Sequence, residues 1–293
     1  MILVAGATGR LGLEIVQRLR RRGEEVRGLV RATSAPEKIA AIKDSGAQVY
    51  TGNLRDRESL EAACEGVETV ISTATVITTA QPGDSFQDTD AAGTIALIEA
   101  AKHAGVSHFI FVSFDASRFP DTPLTDAKRA VERHLKEGGI AYTILQPPPF
   151  MEIWLGPMLF GDPRSGQVKI FGQGEGKVPY VSLYDVAEVA VRSVRMPSAR
   201  NRTIVFSGPQ GVTQREVVKM FEEAMGRPLS VTAVPQQALE EQWKTSDNPL
   251  EKTFAGLMLG VSKLDEEPTP LSEEYAFQMA TVGEYAKKTV QSS

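Results

Sequence analysis

The stretch Met1-Ile-Leu-Val-Ala-Gly-Ala-Thr-Gly-Arg-Leu-Gly12 decides how the rest of the chain is read. No polar residue interrupts Ile2, Leu3, Val4 and Ala5, so they predict a strand buried on both faces, as in a parallel sheet covered by helices. After the glycines, Leu11, Ile15, Val16 and Leu19 form one stripe and Glu14, Gln17, Arg18 and Arg20 to Arg22 the opposite one, which predicts a helix over 11–22. A strand that feeds a helix through G-x-x-G-x-x-G directs backbone N–H groups and the positive helix end at one point, where a pyrophosphate is held. Gly6 would allow the tight turn, Gly9 a close approach of phosphate to backbone, and Gly12 close packing of helix on strand. The spacing departs by one residue from G-x-G-x-x-G, and such glycine turns also join strands to helices without a ligand.

Outward from this unit, strand-like runs alternate with helical patterns. Strands are expected at Ile2 to Ala5, Val26 to Val30, Gln48 to Thr51, Thr69 to Ser72, His108 to Ser113 and Ala141 to Gln146. Helices are expected near 11–22, 35–45, 57–65, 88–104 and 125–138. The fold class is α/β: a doubly wound parallel Rossmann sheet with a smaller C-terminal α/β substrate region. The expected division is 1–150 for nucleotide binding and 151–293 for substrate binding, the chain returning to the first domain around 181–207. Pro147, Pro148 and Pro149 lack backbone donors and end the sixth strand. Phe150, Met151, Trp154, Leu155, Met158, Leu159 and Phe160 are too apolar for a solvated loop and either line a cleft or cover the core. Ser182 and Asp185 form a capping box at a helix start. A strand at 203–206, a helix at 214–224, a strand at 230–233 and a helix from 236 follow. Residues 248–293 are expected to be helical, with Phe254, Leu257, Met258, Tyr275, Phe277 and Met279 as candidates for a lid.

Composition narrows the function classes. In 293 residues, 42% hydrophobic and 24% charged are ordinary for a soluble globular protein, and a sizeable core can be buried. A net charge of −5 argues against a nucleic-acid partner. No apolar run approaches the roughly eighteen residues a membrane span requires. The first strand begins at residue 2, which leaves no room for a signal or transit peptide in this sequence, although a longer native precursor stays compatible. The lone Cys64 excludes an internal disulfide and fits a reducing compartment, so a cytoplasmic location is expected. His103, His108 and His134 share no metal-ligand spacing with it, and no metal is expected.

An acid at the end of the second strand of such a fold bonds the ribose 2′-hydroxyl of NAD, whereas an arginine accommodates the 2′-phosphate of NADP. Here that strand ends Gly28-Leu-Val-Arg31, with no Asp or Glu before Ala35. Arg31 therefore points to NADP(H), with Arg10 and Lys38 able to add charge. Asn53 and Leu54, after the third strand, lie near the expected adenine, although Asn53 equally suits a simple turn. Thr73, Ala74 and Thr75, after the fourth, are small enough for a nicotinamide ribose to come close. The cofactor set read from the residues is thus Gly6, Thr8, Gly9, Arg10, Leu11, Gly12, Arg31, Asn53, Leu54, Thr73, Ala74 and Thr75.

Gly6-Ala-Thr-Gly-Arg-Leu-Gly12, Arg31, Gly52-Asn-Leu-Arg-Asp56, Asp90-Ala-Ala-Gly93, Phe109-Ile-Phe-Val-Ser113, Lys128, Gln146-Pro-Pro-Pro-Phe-Met151 and Ser182-Leu-Tyr-Asp-Val-Ala187 make the chain resemble the NmrA-like, atypical branch of the short-chain dehydrogenase/reductases over nearly its whole length. Proteins like this include quinone and triphenylmethane-dye reductases, isoflavone reductases, NADP-sensing regulators and assembly factors of photosynthetic complexes. The resemblance implies an NADP-binding domain, Lys128 on the nicotinamide ribose or the acceptor oxygen, and Ser113 in the place of the family's serine. It also exposes a departure. The superfamily's Tyr-x-x-x-Lys is here Leu124-Thr-Asp-Ala-Lys128, so the phenol that exchanges a proton with the substrate oxygen is missing.

Two readings result. One is an NADPH-dependent reductase passing hydride to a quinone-like or conjugated small molecule, with Lys128 and Ser113 as catalytic groups and Phe150, Met151 and Trp154 around the substrate. The other is a non-catalytic NADP(H)-binding sensor, regulator or assembly factor with a protein partner, which the missing tyrosine favours. For Lys128 a third possibility is a plain solvated cation beside Arg129, Arg133 and Lys136.

Overall fold

Each strand expected in the first half forms within one residue of its predicted ends in a computed structural model that describes residues 1–291. The order along the chain is β1 (Ile2–Ala5), α1 (Arg10–Arg21), β2 (Val26–Val30), α2 (Pro36–Asp44), β3 (Gln48–Thr51), α3 (Arg57–Cys64), β4 (Thr69–Ser72), α4 (Thr94–His103), β5 (His108–Val112), α5 (Pro123–Glu137) and β6 (Tyr142–Gln146). The seven-stranded sheet runs β3-β2-β1-β4-β5-β6 and ends on Arg202–Val205. Parallel pairing sets Ala5 beside both Leu29 and Ser72. The order reverses between β1 and β4, and ligands of open α/β sheets sit at the carboxyl ends of such a switch point.

The chain divides into two units, the first made of Met1–Phe114, Asp126–Gln146 and Val186–Ile204. Its core joins Leu3, Leu60, Leu97, Phe109, Phe111, Val131 and Ile144 from strands and helices. Burying each such side chain contributes about 1.5–3 kcal/mol. The helix expected from 88 begins at Phe86, and its first turns, Phe86–Gly93, are π-wound. Gly93 lies under Leu54, where an added Cβ would come within 2.8 Å of the leucine's own. A helix over Leu183–Arg195 brings Glu188 to Arg18 at 2.8 Å, Arg22 at 2.7 Å and Arg192 at 2.6 Å. Burial would raise the Glu188 carboxyl, but the hydrogen bonds from Arg192, Arg22 and Arg18 outweigh it and hold its pKa down to about 2.

The second unit comprises Asp115–Thr125, Pro147–Asp185 and the chain from Val205. Its core gathers Met151, Leu155, Phe160, Ile170, Val178 and Phe221. Three strands absent from the sequence reading, Gln167–Phe171, Lys177–Val178 and Val212–Thr213, form here. Gln167–Phe171 pairs in parallel with Ser230–Val234, and Lys177–Val178 pairs antiparallel with Val212–Thr213. The former's alternating exposure was masked by the uniformly apolar run before it. Residues 248–293 are helical only in part. Pro249–Val261 and Val282–Gln291 are helices, but between them, where Pro268 and Pro270 disfavour helix, the chain is irregular apart from one 3₁₀ turn at Glu273–Tyr275. Instead Ser207 N–H donates to Thr269 O, and Thr269 N–H donates to Ser207 Oγ, each at 2.9 Å. Ser292 and Ser293 lie outside the described residues. Of the expected lid residues, Tyr275 and Leu257 are buried, and Phe254 and Met258 pack on a cluster of Leu159, Phe171, Leu239 and Leu259. The helix start at Ser182 also draws on a distant carboxylate. Glu152 supplies the carboxylate, accepting from Ser182 Oγ at 2.7 Å and Leu183 N–H at 2.8 Å, while Asp185 Oδ2 accepts from Ala280 N–H.

Two stability predictions result. Gly12→Ala, whose Cβ would stand 2.1 Å from Gly6 O, should lower the unfolding free energy in denaturant by about 1–3 kcal/mol, despite alanine's better helix propensity. Because the folded Glu188 pKa lies below its ordinary 4.5, its stabilisation is complete above that value and is lost as pH falls toward about 2. Glu188→Gln should therefore melt below wild type near neutrality and converge with it over that acid window. A gap independent of pH would show that the carboxylate's charge is not what holds the arginines.

Candidate functional site

The cradle is built from backbone. Gly6 sits at φ +81°, a left-handed value that glycine adopts freely. A Cβ there would come 2.7 Å from Thr73 Oγ1 and 2.9 Å from Ala74 N, so β4's exit presses directly on the turn. The turn closes through Gly9 N–H to Gly6 O at 2.9 Å, and Leu13 N–H to Gly9 O starts α1. Gly9 is the N-cap, with extended backbone, no side-chain cap bond, and no acidic residue in the first turn. A helix N-terminus flanked neither by a capping side chain nor by a carboxylate keeps its positive end directed at the turn, which suits an anion. Thr8 and Leu11 are half-buried beside it, and Arg10 is exposed. Thr73 N–H and Oγ1 both donate to Ala5 O, at 3.0 and 3.2 Å, which ties the fourth-strand exit to the first. Ala74 and Thr75 remain half-buried.

Two residues expected at the adenine have local duties. Asn53 Oδ1 accepts from Arg55 N–H at 3.0 Å, the turn alternative of the sequence reading. Leu54 is 8% exposed, and its side chain packs in the core of the first unit. Arg31 is half-buried at the end of β2. Its Nη1 donates to Asp84 Oδ2 at 2.7 Å and its Nη2 to Thr79 O at 3.0 Å.

At the carboxyl ends of β4 and β5 a polar group is fully enclosed. Lys128, on α5, is 7% exposed, so the solvated-cation possibility is overturned. Its Nζ donates to Val112 O at 3.0 Å and lies 4.7 Å from the centre of the Phe111 ring. Burial pulls the Lys128 ammonium below its usual pKa, and the negative charges of Asp90 and Glu132 oppose this only in part. Burial likewise lifts the Asp90 carboxyl against the pull of Lys128. Asp90 Oδ2 accepts from Val76 N–H at 3.0 Å, and its buried Oδ1 has no hydrogen-bond partner. Asp90 comes from the π-wound turns, a geometry frequent at functional positions.

Ser113 does not join this group as a proton donor in reserve. Its hydroxyl donates to Glu132 Oε1 at 2.6 Å, and Gln146 Nε2 reaches both Glu132 oxygens, at 2.8 and 3.0 Å. Sequence reasoning missed Glu132 and Gln146. Glu132 was findable, since it lies one helical turn after Lys128 and shares its face. In the second unit Met151 is 0% exposed within the core and cannot line a ligand surface, a correction to its expected substrate role, whereas Phe150 and Trp154 keep part of their surface. Leu124, where the superfamily has tyrosine, is buried at 5% exposure.

Against known proteins, the chain is 32% identical over 242 residues to the photosystem II assembly factor Ycf39 of Synechocystis sp., covering 81% of this chain and 72% of that one. It is 34% identical over 236 residues to the NAD(P)H azoreductase of Xenophilus azovorans, covering 80% and 77%. A longer relative from Arabidopsis thaliana is matched over only 59% of its own length. Among solved structures, the NADPH-dependent quinone oxidoreductase QOR2 of Escherichia coli complexed with NADPH superposes with a TM-score of 0.78 over 98% of this chain and 99% of that one; at 23% identity the likeness is one of fold. The pattern of the NmrA-like family runs through residues 1–285, and the chain belongs to that family.

Proposed function

We propose that the chain binds NADP(H) and is a reductase of quinone-like or conjugated small molecules. The observation that carries the reading is the uncapped N-terminus of α1, held by Gly6 and Gly12 against the exits of β1 and β4 so closely that a Cβ at either would collide with backbone. This fits a pyrophosphate. Arg31 is assigned to the 2′-phosphate. Lys128 and the partnerless Asp90 Oδ1 suit two ribose hydroxyls, a donor for one and an acceptor for the other. Nucleotide binding is assigned to residues 1–150 and acceptor binding to 151–293, with the chain returning to the first domain around 181–207; Phe150 and Trp154 offer apolar surface. The identity to an NAD(P)H azoreductase, 34%, supports both cofactor and acceptor class.

Bound NADPH supplies a hydride at the nicotinamide ring. The protein's part is to orient that ring and meet the negative charge that develops on the acceptor. With leucine at 124 there is no phenol to protonate a simple alkoxide, so acceptors that delocalise charge are the suitable class. The Lys128 ammonium, drawn down from its usual pKa, is a better proton donor than a solvated lysine.

A second reading has its own support. The 32% identity to a photosystem II assembly factor and the absent phenol both favour an NADP(H)-loaded protein that acts on a protein partner. No helix among the described residues is long and apolar enough to cross a membrane.

The two readings separate in one experiment. Purified protein incubated with NADPH and a panel of quinones, azo dyes and enones should consume NADPH in an acceptor-dependent way. Tight NADPH binding without consumption for any acceptor would decide for the non-catalytic reading. Lys128→Met should weaken NADPH about tenfold or more, the scale of a lost charge-assisted bond, with far-ultraviolet circular dichroism unchanged. Wild-type binding and turnover in that variant would return Lys128 to a purely structural role.

A further inference from the structure

The segment after β4 holds an anion on the guanidinium that the cofactor reading reserves for a phosphate. Gln81-Pro-Gly-Asp84 is a turn, closed by Asp84 N–H to Gln81 O at 2.9 Å, with Gly83 at φ +83°. Its last residue directs a carboxylate back at the end of β2. Asp84 Oδ2 receives Arg31 Nη1 at 2.7 Å and Gln81 N–H at 3.0 Å, and Oδ1 receives Thr89 Oγ1 at 3.3 Å. The Asp84 side chain is 5% exposed and that of Arg31 27%. The same segment is fastened on either side: Thr33 Oγ1 donates to Gln81 Oε1 at 2.6 Å, Arg31 Nη2 to Thr79 O at 3.0 Å, and Arg55 Nη1 to Gly83 O. Arg55 Nε stands 3.9 Å from Asp84 Oδ1. Residues 79–84 thus span from the end of β2 to the loop after β3, the two places from which such folds hold the adenosine half of a dinucleotide.

We propose that Asp84 sets the nucleotide preference of this site: its carboxylate occupies Arg31 as a 2′-phosphate would, and NADP(H) must displace it, whereas NAD(H) need not. This rests on the NADP(H) reading above. A carboxylate and a phosphate offer a guanidinium the same charge-assisted acceptors, and two anions on one half-buried guanidinium repel each other. The 2′-hydroxyl of NAD carries no charge and makes no such demand. Asp84 therefore lowers NADP affinity below what Arg31 alone would give, and the bound phosphate removes the Asp84 carboxylate from the set of contacts that tether residues 79–84 to β2.

Titration calorimetry of the full chain with NADP+ and NAD+ tests this on wild type, Asp84→Asn, Asp84→Ala, Arg31→Ala and the Arg31→Ala/Asp84→Asn double variant. Both Asp84 variants should tighten NADP+ about three- to tenfold, the worth of a partly exposed ion pair, and leave NAD+ within about twofold. In the Arg31→Ala background the Asp84 effect should vanish. Amide hydrogen exchange of wild type gives a second readout: NADP+, and not NAD+, should deprotect residues 79–84. The proposal is overturned if the Asp84 variants weaken NADP+, tighten both nucleotides alike, or keep their effect without Arg31. Unchanged NADP+ affinity in variants that still bind it would sink the role of Asp84 alone. Failure of every protein, wild type included, to bind either nucleotide would instead remove the cofactor reading and this inference with it.

Discussion

Everything in the first unit depends on backbone meeting backbone at the turn between β1 and α1. A methyl group at Gly12 would stand 2.1 Å from the carbonyl oxygen of Gly6, and one at Gly6 would stand 2.9 Å from the amide of Ala74. Contacts this short let α1 start immediately at the carboxyl end of β1, so its N–H groups and positive end face the switch point between β1 and β4. Side chains could not supply that arrangement, because any Cβ would push the helix off the strand and spread its dipole into solvent.

Around this rigid turn the ionisable groups are tied to one another. Arg31 is held by Asp84, Lys128 by Val112 O with Asp90 and Glu132 nearby, and Ser113 by Glu132. The low dielectric of the interior makes each of these bonds strong and an unpartnered group costly. Asp90 Oδ1 is one of the buried polar atoms that remain without a partner, with Ser72 Oγ and Thr94 Oγ1 among the others, and it lies within a π-wound turn that interrupts regular helix geometry. Local irregularity and an unsatisfied acceptor coincide there, which is why that corner of the first unit, rather than the Ser113–Glu132–Gln146 network, carries the weight of the ribose assignment.

The second unit reaches order by different means. The segment Asp115–Thr125 lies against Pro249–Val261, where Gly256 admits Thr122 and Gly260 admits the Phe119 ring at distances that a Cβ would close to 2.5 and 2.3 Å. Trp243 Nε1 donates to Asp121 O at 2.9 Å and fastens the same segment. Residues that look like pocket lining by composition, Met151 above all, are used here to fill a core, because a unit with two-stranded sheets must bury apolar side chains from loops and short helices as well.

The sequence by itself determined the sheet, the glycine turn and the family, because uninterrupted apolar runs, amphipathic spacing and positions that tolerate only glycine are local signals. It also determined that position 124 is a leucine and carries no phenol. Partnerships between distant residues were decided by tertiary structure alone. Nothing near Arg31 in sequence announces Asp84, 53 positions away, and nothing near Ser182 announces Glu152, 30 away. Whether an apolar residue at 151 or 154 faces core or solvent was equally illegible, since composition is the same in both settings. Periodicity records which face of an element is apolar; only the folded chain decides what that face, or a charge beside it, will meet.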